Sequence, residues 1–102
     1  MAFLLLHPRE IEQIERQKNA IIVDVREAVQ YQQNHYKNAR NLPYLDGEKW
    51  LNCFMPGRCY IIYCEYGNTS LLVARNLDRR GISAYTVVGG WQGICRYFAH
   101  TS

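Results

Sequence analysis

The sequence predicts an α/β domain built on a mainly parallel sheet, and three features carry that reading. Two runs dense in apolar residues, "IIVDV" at 21–25 and "YIIYC" at 60–64, have the pattern of strands covered on both faces, as in a parallel sheet. Stretches with helical spacing fall between the strand-like runs. The connections between them are short.

In chain order, "FLLL" at 3–6 reads as a short buried strand. Pro8 then suits the first position of a helix, where its missing N–H is not needed. Along that helix Ile11 and Ile14 face inward, Glu12 and Arg16 pair outside, and Asn19 is the stop. "IIVDV" is broken only by Asp24, and a helix from about Glu27 to Gln33 follows it. "ARNLP" at 39–43 is a weak strand, and "EKWLNCF" at 48–54 a short helix before the Pro56-Gly57 turn. After "YIIYC", the residues Leu71, Ala74 and Leu77 recur at helical spacing between Ser70 and Arg80, with Gly81 as C-cap. "AYTVV" at 84–88 is the last strand, and Gly89-Gly90 turns into a terminal helix through Trp91, Ile94 and Phe98.

At 102 residues the chain is expected to be one domain over 1–102, with a single core. Its 48% apolar and 21% charged residues exclude the disordered and fibrous classes. The net charge of +3 is spread out, and the densest basic cluster, Arg75, Arg79 and Arg80, reads as a solvated helix face rather than a nucleic-acid site. The opening "MAFLLLHPRE" lacks a basic n-region and a small-residue cleavage pattern, so it is not read as a signal peptide. No run approaches the roughly 20 apolar residues that cross a bilayer. A cytoplasmic location is the expectation. The four cysteines, Cys53, Cys59, Cys64 and Cys95, are irregularly spaced and form no C-x-x-C, which argues against a disulfide framework and against zinc. Most of them are expected to be small core fillers.

Cys64 is the exception, because it ends a strand, and in open α/β sheets ligands bind beyond the carboxyl ends of the strands. The segment "CEYGNTS" must turn from strand to helix within a few residues, and Gly67 supplies the unusual backbone angles this demands. Amides of residues 65–70, together with a helix N-terminus near Thr69 or Ser70, then form a concave positive site for an anion. That anion can be the thiolate itself. A free thiol is mostly protonated at neutral pH, and a helix N-terminus stabilises its ionised form without a histidine base. A buried strand-end cysteine beside an ordinary turn glycine remains the alternative.

"CEYGNTS" also resembles the active-site loop C-x-x-G-x-[ST]-[SA] of the rhodanese family of sulfurtransferases. "IIVDVRE" at 21–27 resembles that family's first signature, a strand ending in D-x-R-E. His35 stands at the place of the histidine in G-H-I-P-G-A, "NLP" follows at 41–43, and "YTVVGGWQGI" at 85–94 is similar to the closing strand, double glycine and helix. The four motifs are in order and cover nearly the whole chain.

This resemblance implies a five-stranded, mainly parallel sheet flanked by helices on both faces. It also implies an enzyme, a rhodanese-type (thiosulfate) sulfurtransferase. Cys64 would take a sulfane sulfur from thiosulfate or a persulfide, carry it as a persulfide, and pass it to a thiol or cyanide. Glu65, Tyr66, Gly67, Asn68, Thr69 and Ser70 would hold the substrate and persulfide, with Asp24 and Arg26 supporting. The partners implied are small sulfur donors and acceptors or a partner protein's persulfide, without nucleic acid, membrane, metal or cofactor.

Three departures qualify the match. "NHYKNA" at 34–39 loses the proline and second glycine of G-H-I-P-G-A. Glu65 and Tyr66 stand where thiosulfate-using members often carry Arg or Lys, so thiosulfate is expected to be a poor donor. Six positions after Cys64 stands Ser70, and the first arginine is Arg75, which argues against the C-x5-R chemistry of dual-specificity phosphatases.

Among the remaining residues, Asp24 reads as a buried carboxylate rather than a substrate contact, and Arg26 as its partner or that of Glu27 or Glu65. His35 reads as a hydrogen-bonded connector. Of Tyr66, Trp91 and Tyr97, Tyr66 is the one expected to line the pocket. Cys59 lies about 16 Å from Cys64 at about 3.3 Å per strand residue, too far to resolve a persulfide on it. Cys53 and Cys95 stay open as redox partners. Two other readings compete: a non-catalytic rhodanese-like binding module, and a redox or arsenate-reductase-like thiol protein.

Overall fold

Five strands form one all-parallel sheet in the order β1-β5-β4-β2-β3, in a computed structural model that describes residues 3–101. They are β1 (Leu4–Leu6), β2 (Ile21–Asp24), β3 (Arg40–Asn41), β4 (Cys59–Tyr63) and β5 (Ser83–Val87). The helices are α1 (Ile11–Lys18), α2 (Ala28–Gln33), α3 (Glu48–Leu51), α4 (Asn68–Arg79) and α5 (Gly90–Thr101).

The period of two along each strand divides the core. Ile22, Ile61, Tyr63, Tyr85 and Val87 cluster with Ile11 of α1 and Ile94 of α5, and Tyr31 of α2 packs against them. Val23, Tyr60, Ile62 and Ala84 cluster with Trp50 and Leu51 of α3 and Val73, Ala74 and Leu77 of α4. Both faces are therefore covered, and each fully buried aliphatic side chain contributes roughly 1.5–3 kcal/mol by leaving water.

Local chemistry sets the boundaries. Pro8 opens a single 3-10 turn, Pro8–Glu10, capped reciprocally by His7 and Glu10, before α1 starts. Asn19, at φ 49°, ends α1, and Arg16 pairs with Glu12 at 3.1 Å on its outer face. Asn38, at φ 71°, takes a left-handed conformation at the position of the missing second glycine of G-H-I-P-G-A. Its short polar side chain tolerates that conformation, so the connection survives the loss.

Three expectations are corrected. "FLLL" is not buried: β1 pairs only with β5, so it is an edge strand on which Leu4 and Leu5 are exposed and Leu6 alone is buried. α4 starts at Asn68, before Thr69 or Ser70, because Gly67 at φ 108° turns the chain directly into it. The cysteines are not mostly core fillers, since Cys53 lies exposed in the turn after α3, Cys95 is exposed on α5, and Cys59 is half-buried. Cys64 alone is buried.

Arg80, at the end of α4, bonds Glu48 and Asn52 beside α3, so the basic cluster is partly paired. No helix among the described residues is long and apolar enough to cross a membrane. Met1 and Ala2, at the head of the stretch considered as a leader, lie outside the described residues.

Candidate active site

Cys64 follows the central strand β4 at its carboxyl end, with β2 on one side and β5 on the other. The chain turns through Glu65, Tyr66 and Gly67 into α4. The Cys64 Sγ accepts hydrogen bonds from the amides of Gly67, at 3.1 Å, and Ser70, at 3.2 Å. The Ser70 Oγ lies 3.4 Å from the same sulfur. Gly67 is the N-cap of α4, so the Ser70 amide is one of the first-turn donors that no helical carbonyl uses. The side chain that receives them is 5% exposed.

The N-terminus of α5 orients this loop from below. The amide of Trp91 donates to the Cys64 carbonyl at 2.7 Å and that of Gln92 to the Glu65 carbonyl at 3.1 Å. Across a trans peptide the N–H points opposite to the C=O, so the amides of Glu65 and Tyr66 are turned away from α5. Only glycine allows this approach: a Cβ on Gly90 would stand 2.5 Å from the Cys64 oxygen and 2.8 Å from the Glu65 carbonyl carbon.

A buried charge cluster supports the loop at its side. Asp24 is fully buried and accepts from the Arg26 amide at 2.9 Å, from Nε at 3.1 Å and from Nη2 at 2.8 Å. Arg26 Nη1 reaches Glu65 at 3.3 Å, and Nη2 donates to the Asn34 carbonyl at 2.7 Å. The guanidinium carbon lies 4.9 Å from the centroid of the Trp91 ring. Burial works to lower the Arg26 pKa, but hydrogen bonding and charge from Asp24, with a further bond from Glu65, outweigh it and raise it. Glu65 also accepts from Gln30 at 3.3 Å and from Gln92. Its carboxylate is thus paired and held toward α2 and α5, not left bare beside the sulfur.

The other candidate residues are more scattered. Tyr66 is 70% exposed on the outside of the loop, contrary to the expectation that it lines the pocket. The side chains of Asn68 and Thr69 make no hydrogen bond to the sulfur among the described residues. His35 stacks on Tyr31 with ring centroids 3.7 Å apart, and its Nδ1 lies 2.8 Å from the Tyr31 carbonyl oxygen, a connector's contacts. Tyr97 packs edge-on against His7, whereas Trp91 stacks on Tyr63 beside Arg26. A polar cleft of about 200 Å³ lies next to the loop, lined by Arg26, Gln30, Glu65, Trp91 and Gln92 among others.

Gln30, Gln92 and Thr86 escape the sequence reading. The glutamines carry no local signal. Thr86, whose hydroxyl bonds Ser70 at 2.8 Å, is the one aliphatic hydroxyl in "AYTVV", but threonine is common in strands.

Residues 7–97 match the rhodanese-like domain family. The tRNA sulfurtransferase of Thermoplasma acidophilum is 43% identical over 68 residues, covering 67% of this chain and 14% of that protein. The thiosulfate sulfurtransferase GlpE of Coxiella burnetii is 25% identical over 84 residues, covering 81% of this chain and 78% of that one. The rhodanese-related protein of Thermoplasma volcanium superposes with a TM-score of 0.77 at 21% identity, covering 93% of each chain, and shares the fold. The chain spans about 14% of the length of the tRNA sulfurtransferases it matches. With the all-parallel sheet and the loop around Cys64 in place, the chain belongs to the rhodanese-like domain family.

Proposed function

We propose that this chain is a sulfurtransferase that carries sulfane sulfur on Cys64. The observation behind the reading is the pair of amide donors, Gly67 and Ser70, converging on Sγ at the N-terminus of α4. Such donors favour negative charge on sulfur. The names of the relatives, tRNA sulfurtransferase and thiosulfate sulfurtransferase, agree with it.

In the first step the Cys64 thiolate attacks the outer sulfur of the donor. A bond forms between Sγ and that sulfur, the donor's own bond to it breaks, and the donor fragment leaves with the electron pair. In the second, a thiolate or cyanide acceptor bonds the outer sulfur and Sγ departs as thiolate. Charge returns to the atom that Gly67 and Ser70 face, so the same amides serve both steps.

A persulfide, on a small thiol or a partner protein, is the donor we favour over thiosulfate. The loop 65–70 has no cationic side chain to hold a dianion, and Glu65, although paired with Arg26, leaves the Asp24–Arg26–Glu65 group with one net negative charge. A reducing, cytoplasmic setting suits the four unbridged cysteines.

The low exposure of Cys64 favours the other reading, a rhodanese-like module that docks a partner without chemistry. Intact mass after treatment with glutathione persulfide separates the two. A carrier gains one sulfur atom, and Cys64→Ser does not. A wild-type chain that gains nothing overturns the carrier reading.

A further inference from the structure

We propose that Thr86 is a positioning residue for the Cys64 sulfur, acting through the Ser70 hydroxyl; the inference rests on Cys64 being the sulfur carrier. Thr86 lies on β5, opposite Ile62 of β4, with 2% of its surface exposed. It alternates with Tyr85 and Val87, which belong to the core on the opposite face, so it shares a face with Ala84 and the α4 side of the sheet. A valine has the same shape and would suit such a face. A buried hydroxyl there is costly unless it is bonded.

The bond it makes leads to the sulfur. Thr86 Oγ1 donates to Ser70 Oγ at 2.8 Å, Ser70 Oγ lies 3.3 Å from the Gly67 carbonyl oxygen, and Cys64 Sγ lies 3.4 Å from Ser70 Oγ. Ser70 is fully buried. A hydroxyl has one hydrogen and two acceptor positions. In the thiol form Ser70 therefore accepts from Thr86 and from the Cys64 S–H and gives its hydrogen to the Gly67 carbonyl.

A sulfur without its proton can only accept. The Ser70 hydrogen then turns from the Gly67 carbonyl to Sγ, while Thr86 keeps its hold on the Ser70 oxygen. The Gly67 carbonyl stays satisfied, because it also accepts from the Leu71 amide at 3.2 Å. Thr86 holds the serine oxygen in place while its hydrogen turns, and by donating to that oxygen makes it a stronger donor to sulfur. The anionic sulfur thus has three donors rather than two. They act on the thiolate that attacks and again on the thiolate that leaves.

The test uses the full chain, with iodoacetamide alkylation at each cysteine followed by peptide mass mapping across pH. Thr86→Val slows alkylation of Cys64 about three- to tenfold at neutral pH, the worth of about one hydrogen bond, and moves its pH dependence upward. Alkylation of Cys95, on the exposed face of α5, is unchanged. Thr86→Ser, which restores the hydroxyl, behaves as wild type. In a Ser70→Ala background Thr86→Val has no further effect. Thr86→Ala carries the same expectation if the valine variant does not fold. Overlapping profiles for Thr86→Val and wild type, or additive effects of the serine and threonine changes, overturn the inference. Alkylation does not require sulfur transfer, so a wild type that takes up no sulfur overturns the carrier reading separately.

Discussion

Arg26 Nη1 lies 3.3 Å from Glu65 Oε1, joining residues 39 apart in sequence. The contact ties the end of β2 to the active-site loop. It makes the first acidic residue after the cysteine part of a compensated group, because Arg26 is shared between Asp24 and Glu65. It also brings the loop under the influence of α2 and α5, through Gln30 and Gln92.

Glu65→Gln removes the net charge of that group and can keep the amide contacts around it. A unit charge acting on a dianion about 7 Å away in a water-like dielectric is worth on the order of 1 kcal/mol. Steady-state assays should show a several-fold lower KM for thiosulfate, with the KM for glutathione persulfide changed less. Equal changes for both donors would remove Glu65 as the reason for donor preference.

Arg26→Ala leaves Asp24 fully buried without its cation. Breaking a buried pair from one side costs about 3–5 kcal/mol, far more than an exposed pair such as Arg16–Glu12, at about 0–1 kcal/mol. Urea denaturation of Arg26→Ala and Arg16→Ala side by side checks the difference. Similar midpoints would mean that water reaches the cluster.

Gly90→Ala puts a methyl group into the Cys64 and Glu65 backbone while forcing alanine to φ 61°. The left-handed conformation alone costs about 1–2 kcal/mol. The expected outcome is a melting temperature lower by several degrees and slower sulfur loading on Cys64, read by intact mass. Normal loading would show that the loop does not depend on its seat on α5.

Tyr63 makes the fold sensitive to alkali. Burial, the largest cause, and the nearby Asp24 charge raise the pKa of its phenol well above the usual value, although the Tyr36 amide bond acts against them. A group raised in the folded state contributes stability that is complete below its unfolded pKa, about 10, and lost as pH climbs past it. Stability should therefore fall above about pH 10, by up to about 1.4 kcal/mol per pH unit for this one proton. Tyr63→Phe should flatten that fall in denaturant titrations while lowering stability at neutral pH, since the Tyr36 amide loses its acceptor. An unchanged alkaline slope would assign the fall to other groups.

Much of the fold is legible from neighbours in sequence. The apolar runs of β2 and β4, Asn19 as a helix stop and the Glu12–Arg16 pair all follow from periodicity and propensity, which act within a few residues. The exposure of β1 is not legible there, because "FLLL" reads the same at the edge of a sheet as in its centre, and only the strand order distinguishes them. The exposure of Cys53 and Cys95 is equally hidden, since an apolar thiol does not announce which side of a helix or turn faces water.

What the sequence alone determined is the alternation of strands and helices and a cysteine at the seam between β4 and α4, because these depend on short-range rules of backbone and side chain. What only the tertiary structure decided is what surrounds that sulfur: α5 seated on the loop carbonyls, Glu65 held by Arg26, and Thr86 behind Ser70. Each of these contacts depends on which strands lie side by side and how closely a helix can approach. The folded chain as a whole sets those distances, and no local pattern encodes them.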